Sequence, residues 1–198
     1  MLVLGFGHRA RQGKNTAADA ILQATCLPLE TEVRLYAFAD ALKREVRVAC
    51  ASVGGQFNLI EQFKEAGLMP EWVHFEGPKP RSLLQWWGTE YRRKRDPDYW
   101  VKRLRKTLET HKPDIALVTD VRFVNEVDFI HELGGYVVKC ERLGNPDVNV
   151  HEHPSEAVLD AYKGWDYHIK AATVADCKRQ ALDIFRGLWR PSEQVPVS

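Results

Sequence analysis

The first 22 residues constrain the fold of this chain more than any other stretch. They begin with the apolar run MLVL, continue through the glycine-bearing polar segment GFGHRARQGKNT and end in the alanine-rich AADAIL. The apolar run predicts a buried parallel strand, and the alanine-rich end predicts a helix. Backbone N–H groups of such a loop and of the first helical turn point at one spot, where the helix dipole adds positive potential. Strand, loop, Lys14, Thr16 and helix together predict a phosphate-binding P-loop.

The loop departs from the usual P-loop spacing at two places. His8 stands where the pattern has its first glycine, and Asn15 separates Lys14 from the hydroxyl of Thr16. Lys14 remains in position to supply a mobile charge to the β and γ oxygens of a nucleotide. The alternative is a glycine-rich strand-to-helix turn that binds no ligand.

Two further cations, Arg9 and Arg11, lie inside the same loop. Their charge suits a phosphoryl group in transfer, whose transition state needs charge compensation more than a strong base.

The bulk composition fits a domain with a full core. The chain has 198 residues, of which 44% are hydrophobic, and a formal net charge of +1. This charge gives no overall basic field for nucleic acid. No stretch approaches the roughly 20 apolar residues of a membrane span. The four cysteines are widely spaced and form no Cys-x-x-Cys pair, which predicts reduced thiols in a cytoplasmic protein. We expect no membrane partner and no nucleic-acid partner, and a homodimer stays open.

Apolar and polar runs alternate along the rest of the chain. Strands are predicted over 31–38, 115–119, 136–140 and 166–169, and helices over 41–51, 59–66, 80–95, 98–111, 126–133, 156–162 and 173–189. This order predicts an α/β fold with a doubly wound parallel sheet flanked by helices. We expect one domain over 1–198, with a core of 1–53, 96–142 and 155–190, an insertion over about 54–95 and a lid over about 142–155. The insertion is a candidate substrate-covering segment, and plain surface packing is its alternative.

Asp40 directly follows the second predicted strand, and Lys43 lies one helical turn later. Ligands of an open parallel sheet bind outside the carboxyl ends of its strands, so both residues are candidate substrate ligands. An N-cap role for Asp40 is the alternative, and the two roles are compatible.

The segment PRSLLQWWGTEYRRKR, residues 80–95, combines a helical apolar pattern with side chains that suit nucleotide binding. Gln85 can form paired hydrogen bonds with a base edge, and Trp86 can stack on its face. Arg81 and Arg92 can bind phosphate. The alternatives are core packing for the tryptophans and a solvated face for the basic run.

Asp120 stands at the tip of the apolar run IALVT, as the acidic residue of a Walker B strand does. A carboxylate there would orient Mg²⁺ or its waters, and Arg122 is close enough to reach a phosphate. The alternative is a helix cap for Asp120 and an ion pair for Arg122.

The polar, turn-rich segment 143–154 follows a strand that ends at Arg142, which predicts a mobile lid. His151 and His153 suggest a metal ligand pair, but no further ligand cluster supports zinc there.

Several strings of the chain occur together in one known family. They are GHRARQGKNT, FADALKREV, RSLLQWWGTEYRR, YWV, VTDVRFVNE, LGGYVVKCER and HPSE, in that order. The ordered set resembles the deoxynucleoside monophosphate kinases of tailed bacteriophages, from the N-terminus to about residue 156. The resemblance implies transfer of the ATP γ-phosphoryl group to a deoxynucleoside 5′-monophosphate, with Mg²⁺, in the cytoplasm of the host cell.

The resemblance also implies site residues, to which the loop and strand patterns above add neighbours. The predicted ATP ligands are Arg9, Arg11, Gln12, Gly13, Lys14, Asn15 and Thr16. The predicted acceptor ligands are Asp40, Lys43, Arg81, Gln85, Trp86 and Arg92. The predicted metal ligands are Asp120, acting through water, and Thr16. The residues predicted to act on the transferring phosphoryl group are Arg11, Lys14, Arg122 and Arg142.

Two other functions stay open on the sequence alone. One is a P-loop kinase with another acceptor, such as a hydroxymethylated base in DNA or dephospho-coenzyme A. The other is a nucleotide-binding regulatory module without turnover. The low net charge disfavours a polymer substrate, and Lys14 together with Asp120 and several arginines disfavours a module without turnover. The sequence does not fix the accepted base, the choice of sugar or the oligomeric state.

Overall fold

A computed structural model describes residues 1–24, 27–51, 59–73, 81–144 and 158–189. The strands are β1 (Leu2–Gly7), β2 (Val33–Tyr36), β3 (Ile115–Val121), β4 (Tyr136–Arg142) and β5 (Tyr167–Ala171). The α-helices are α1 (Lys14–Leu22), α2 (Phe38–Cys50), α3 (Leu59–Glu65), α4 (Arg81–Gln85), α5 (Tyr99–His111), α6 (Val124–Glu132) and α7 (Val174–Leu188). A π-helix (Trp86–Arg93) directly follows α4.

The strands form one parallel sheet in the order β2-β3-β1-β4-β5. β1 lies in the middle and pairs in parallel with both β3 and β4, and β4 pairs in parallel with β5. The carboxyl end of β1, where the predicted P-loop begins, therefore lies between the carboxyl ends of two neighbouring strands. This is the edge at which an open α/β sheet binds its ligands.

Helices cover both faces of the sheet. Alternate residues of the strands, such as Leu4 and Phe6 of β1, pack with α1 and α7 in one buried core. The intervening residues face α6, since a Cβ added at Gly5 would lie 2.3 Å from Ile130 Cδ1. The predicted doubly wound α/β fold is confirmed. It follows from strands that are apolar on both sides and need a helical layer on each.

Several predicted boundaries were wrong. The strand predicted over 31–38 spans only Val33–Tyr36, because α2 begins at Phe38 rather than at residue 41. β3 continues two residues past the predicted end at 119, so Asp120 lies within it. Residues 158–161 form turns instead of the predicted helix over 156–162. The cause in each case is that short propensity signals locate the ends of helices and strands poorly.

The chain divides into two compact units. Unit 1 comprises Met1–Leu35 and Lys112–Ser198, and unit 2 comprises Tyr36–His111. The expectation of one domain with an insertion over about 54–95 stays a prediction, as does the lid, of which residues 145–155 lie outside the described residues. Within the described ranges, no helix is long and apolar enough to cross a membrane.

Candidate active site

The loop between β1 and α1 has an unusual backbone. His8, Arg11 and Gly13 have positive φ angles of 91°, 60° and 93°. Besides this φ angle, Gly13 has a second reason to be glycine, because a Cβ added there would lie 3.3 Å from Cys177 Sγ. His8 and Arg11 adopt the left-handed region without that freedom, and such strain is typical of functional loops.

This loop curls around the side chain of Lys14. The ammonium Nζ donates a 2.9 Å hydrogen bond to the carbonyl oxygen of His8 and a second, short one to that of Arg9. Lys14 is the first residue of α1 and is 8% exposed. A buried ammonium requires such partners, and these carbonyls hold it beside the helix N-terminus, where anions bind.

A cavity of about 410 Å³ opens beside the loop. Six of the seven predicted ATP ligands line it, together with residues from β4 and from the junction of β5 with α7. The lining residues are Arg11, Gln12, Gly13, Lys14, Asn15, Thr16, Glu141, Arg142, Ala171, Ala172, Thr173, Val174 and Cys177. The structure thus brings the predicted P-loop and Arg142 to one cavity.

Gln12 joins the loop to the end of β4. Its Oε1 accepts a 2.7 Å hydrogen bond from the backbone N–H of Arg142, and its side chain is nearly buried. The sequence patterns gave Gln12 no role beyond membership of the loop. The contact indicates that Gln12 fixes the backbone position from which the Arg142 side chain extends.

One thiol, that of Cys177, lines the cavity, and a second, that of Cys140, lies on β4 outside its lining. Cys177 of α7 donates an S–H hydrogen bond to the carbonyl oxygen of Gly13 at 3.7 Å. Burial raises the pKa of Cys177, and it raises the pKa of Cys140 on β4 to about 12. A neutral thiol at Cys177 adds no negative charge beside the loop, which favours an anionic ligand there.

Arg9 lies elsewhere. It is absent from the residues that line the cavity, and its guanidinium donates two hydrogen bonds, of 3.0 and 2.5 Å, to the carboxylate of Asp160. The ATP contact predicted for Arg9 stays a prediction.

Asp120 and Arg122 lie at the neighbouring strand end. The register pairs Gly7, the last residue of β1, with Val121 of β3, so both side chains belong to the strand end next to the loop. The proposed cap role of Asp120 was wrong, because Phe123 is the N-cap residue of α6 and the Glu126 carboxylate reaches back to it. Glu126 accepts hydrogen bonds from the backbone N–H groups of Arg122, at 2.7 Å, and of Phe123.

The donors near the loop suit magnesium better than zinc. Asp120 offers carboxylate oxygens and Thr16 a hydroxyl, which are the hard ligands that Mg²⁺ takes. Among the described residues, no group of three or more His, Cys, Asp or Glu could hold a metal ion. Mg²⁺ needs only one or two protein ligands when water and phosphate oxygens fill the rest of its coordination shell. His151 and His153 lie outside the described residues.

In unit 2, two predicted acceptor ligands lie on the first turns of α2. Asp40 is the N3 residue of the helix, not its N-cap, and its carboxylate accepts a 3.1 Å hydrogen bond from the backbone N–H of Ala37. Lys43 lies 3.6 Å from that carboxylate, and both side chains are about half exposed. Asp40 therefore takes part in the helix cap, and both residues still present their charges to solvent.

The other predicted acceptor ligands lie on α4 and the π-helix. Arg81 begins α4 and is exposed, and Gln85 ends it. Trp86 is 5% exposed and stacks on Tyr91 at 5.5 Å, with Trp87 edge-on at 6.1 Å. Core packing of the tryptophan pair is thereby observed, and base stacking by Trp86 stays a prediction.

Arg92 is held by a carboxylate that the sequence patterns did not single out. Glu45 of α2 pairs with the Arg92 guanidinium and also accepts hydrogen bonds from Trp87 Nε1, at 3.0 Å, and Tyr99 OH, at 2.9 Å. The guanidinium carbon lies 4.9 Å from the ring centroids of both Tyr91 and Tyr99. Glu45 therefore fixes Arg92 and joins α2 to the π-helix. As a result, these two elements, which both carry predicted acceptor ligands, are in contact.

Comparisons with known proteins bear on the family of the chain. No family model matches the chain. A protein of Acanthamoeba polyphaga mimivirus, named provisionally as a deoxynucleotide monophosphate kinase, is 31% identical over 182 residues, which cover 84% of this chain and 86% of that protein. The deoxynucleoside-5′-monophosphate kinase of Escherichia phage T5 is 36% identical over 109 residues, which cover 52% of this chain and 42% of the phage protein.

Proposed function

The chain belongs to the deoxynucleoside monophosphate kinases, and from this premise we propose that it transfers the γ-phosphoryl group of ATP to a deoxynucleoside 5′-monophosphate, giving ADP and the diphosphate. The cavity at the loop after β1 carries the proposal, since six residues of the predicted P-loop and Arg142 line one space of about 410 Å³.

We assign ATP binding to the loop residues that line this cavity. The N-terminus of α1 presents the backbone N–H groups of Gly13, Lys14 and Asn15, and the helix dipole there favours phosphate. Lys14 and Arg11 supply the charge that compensates the transferring group, and Arg142 and Arg122 add to it. Gln12 supports this assignment through its hydrogen bond to the Arg142 backbone.

We assign acceptor binding to unit 2. Arg81 and Arg92 would hold the monophosphate, Gln85 would bind the base edge and Trp86 would stack on the base, with Asp40 and Lys43 beside them. The fixed guanidinium of Arg92 supports this role, because a preorganised arginine loses little entropy when it binds phosphate. We further propose the cytoplasm as the site of the reaction; no nucleic-acid or membrane partner is needed, and monomer and homodimer fit equally.

Asp120 and Thr16 would hold Mg²⁺, Asp120 through water. When bound, the ion neutralises charge on the phosphate oxygens. The protein's own part is to orient ATP and the acceptor and to compensate charge, because a loose phosphoryl-transfer transition state requires positioning above all.

The test is ADP release from ATP and Mg²⁺ with each common deoxynucleoside monophosphate and its ribose counterpart as acceptor. Turnover with at least one deoxy acceptor supports the proposal and ranks the bases. Clear ATP binding without turnover on any acceptor contradicts it and favours an unusual acceptor or a regulatory module.

Lys14→Met tests the assignment of the loop. Methionine keeps the buried stem of the side chain and removes its charge, so we expect kcat to fall by roughly 10²–10³-fold with the fold intact. Lys102→Met is the matched control, because Lys102 is an exposed lysine that pairs with Asp96 on the surface of unit 2. Near-normal activity of Lys14→Met would contradict the P-loop assignment.

A further inference from the structure

The segment just before β5 contacts the beginning of the P-loop. Asp160 binds the Arg9 guanidinium through both carboxylate oxygens, at 3.0 and 2.5 Å, and lies 3.5 Å from His8 Nε2. Five residues later, the ring of Trp165 lies against the backbone of Gly7, where an added Cβ would be 2.5 Å from it. The last residue of β1 and the first two residues of the loop are thus held by one short segment.

The two residues that Asp160 contacts are also the two that hold Lys14. The carbonyl oxygens of His8 and Arg9 accept the hydrogen bonds of the Lys14 ammonium, while their side chains face Asp160. A continuous path of contacts therefore leads from the Asp160 carboxylate, through the dipeptide of His8 and Arg9, to the Lys14 ammonium group.

The contact between Asp160 and Arg9 has the properties of an anchor. A bidentate arginine–carboxylate pair fixes orientation as well as distance, and both side chains are about 30% exposed, so solvent screens the pair only in part. The Arg9 guanidinium holds the pKa of the Asp160 carboxyl below its ordinary value, so the carboxylate stays charged at neutral pH. The backbone of His8, at φ +91°, persists only where its surroundings hold it.

We propose that Asp160 is a positioning residue for the reaction: by binding Arg9 and His8 it fixes the dipeptide whose carbonyls set the position of the Lys14 ammonium. This inference rests on the proposed function, and it gives Arg9 the role of a loop anchor in place of the predicted contact with ATP. Because this path leads to Lys14, loss of Asp160 is expected to affect the ATP side of the reaction and to leave acceptor affinity unchanged.

Asp160→Asn is the first test, since asparagine keeps the size of the side chain and removes its charge. We expect kcat/KM for ATP to fall about tenfold, because displacements of an ångström near the reacting groups cost up to about a hundredfold. KM for the acceptor is expected to stay within about twofold. Asp160→Glu, which keeps the carboxylate, is expected to recover part of the loss. Asp183→Asn is the matched control, because it removes an aspartate that pairs with arginines on the outer face of α7.

A double-mutant cycle with Arg9→Ala tests whether Asp160 acts through its contact with Arg9. If the two residues act through one contact, the double variant loses no more activity than the more impaired single variant. Additive losses, a raised acceptor KM or wild-type kinetics in Asp160→Asn would each overturn the inference. Should Asp160→Asn fail to fold, Arg9→Lys applies the same criteria, because lysine keeps the charge and loses the paired geometry.

Calorimetric titration with ATP alone makes the inference independent of turnover. If the wild-type chain binds ATP and phosphorylates no monophosphate, the proposed function fails. About tenfold weaker ATP binding by Asp160→Asn than by Asp183→Asn then supports the positioning role, and equal binding overturns it.

Discussion

His8 carries a conformation that glycine adopts without strain. Its φ of +91° lies in the left-handed region, at the position where the usual P-loop has its first glycine. We expect His8→Gly to be more stable than His8→Ala by about 1 kcal/mol in free energy of unfolding, since both lose the imidazole and only alanine keeps the strain. Urea unfolding of the two variants measures the difference. Equal stabilities, or a more stable His8→Ala, would show that the loop imposes no strain at this residue.

At the scale of single residues, the sequence predicted the site residues that belong to a local motif and missed those that approach the site only after folding. The P-loop pattern predicted the loop residues that line the cavity, because the motif is local. Asp160 contacts Arg9 across 151 positions of the chain, so no local pattern could have identified it. Glu126 is different: it follows Phe123 by three residues, which is the spacing of a capping box, but Phe123 carries no side-chain oxygen, so the sequence contained only half of that pattern.

At the scale of elements, the contact between α2 and the π-helix depends on Glu45. This side chain is 16% exposed and accepts hydrogen bonds from Arg92, Trp87 and Tyr99. We expect Glu45→Ala to lower the free energy of unfolding by about 2–3 kcal/mol, because three donors lose a partly buried acceptor. Asp96→Ala, which removes an exposed ion pair with Lys102 and one hydrogen bond from the backbone N–H of Asp98, is expected to lower stability clearly less. Urea unfolding compares them, and equal effects would contradict the role assigned to Glu45.

The sequence predicted a helix over 80–95 but not its winding. In a π-helix, residues five apart lie over one another, and here Trp86 stacks on Tyr91 while the Arg92 guanidinium lies 5.8 Å from the Trp87 ring centroid. Apolar spacing at three and four residues fits an ordinary α-helix equally well. Glu45, which lies 42 positions before Trp87, accepts hydrogen bonds from both Trp87 and Arg92, a pair of contacts that no local pattern reveals.

At the scale of the whole molecule, the sequence predicted the fold class because alternating strands and helices of this length admit few arrangements. It could not give the strand order, since that depends on which strand faces match after α1, α6 and α7 have packed. The compact unit over Tyr36–His111 is also longer than the predicted insertion of 54–95, because α2 and α5 pack with each other and with the π-helix.

Stability of the whole molecule is expected to be greatest near pH 7–8 and to fall on both sides. Burial lowers the pKa of His8 from 6.5, so the unfolded chain takes up that proton first and stability declines as the pH falls below about 6.5. Cationic partners lower the pKa of the Asp160 and Glu141 carboxyls, so their contribution is lost as the pH falls through and below about 4. On the alkaline side, burial raises the pKa of Cys140 from 9.0 to about 12, and stability is lost across that interval as the unfolded thiol ionises.

Urea unfolding from pH 3 to pH 10 measures this profile, with His8→Gly and Asp160→Asn as matched variants. His8→Gly is expected to lose the decline between pH 7 and pH 5, because the group that takes up the proton is gone. Asp160→Asn is expected to show that decline in stronger form, because the Asp160 charge raises the pKa of His8 against the effect of burial and its removal lowers that pKa further. It is also expected to lose part of the decline below pH 4, because the Asp160 carboxyl no longer takes up a proton. An acid decline that is identical in all three proteins would mean that the cluster of His8, Arg9 and Asp160 does not couple protonation to folding.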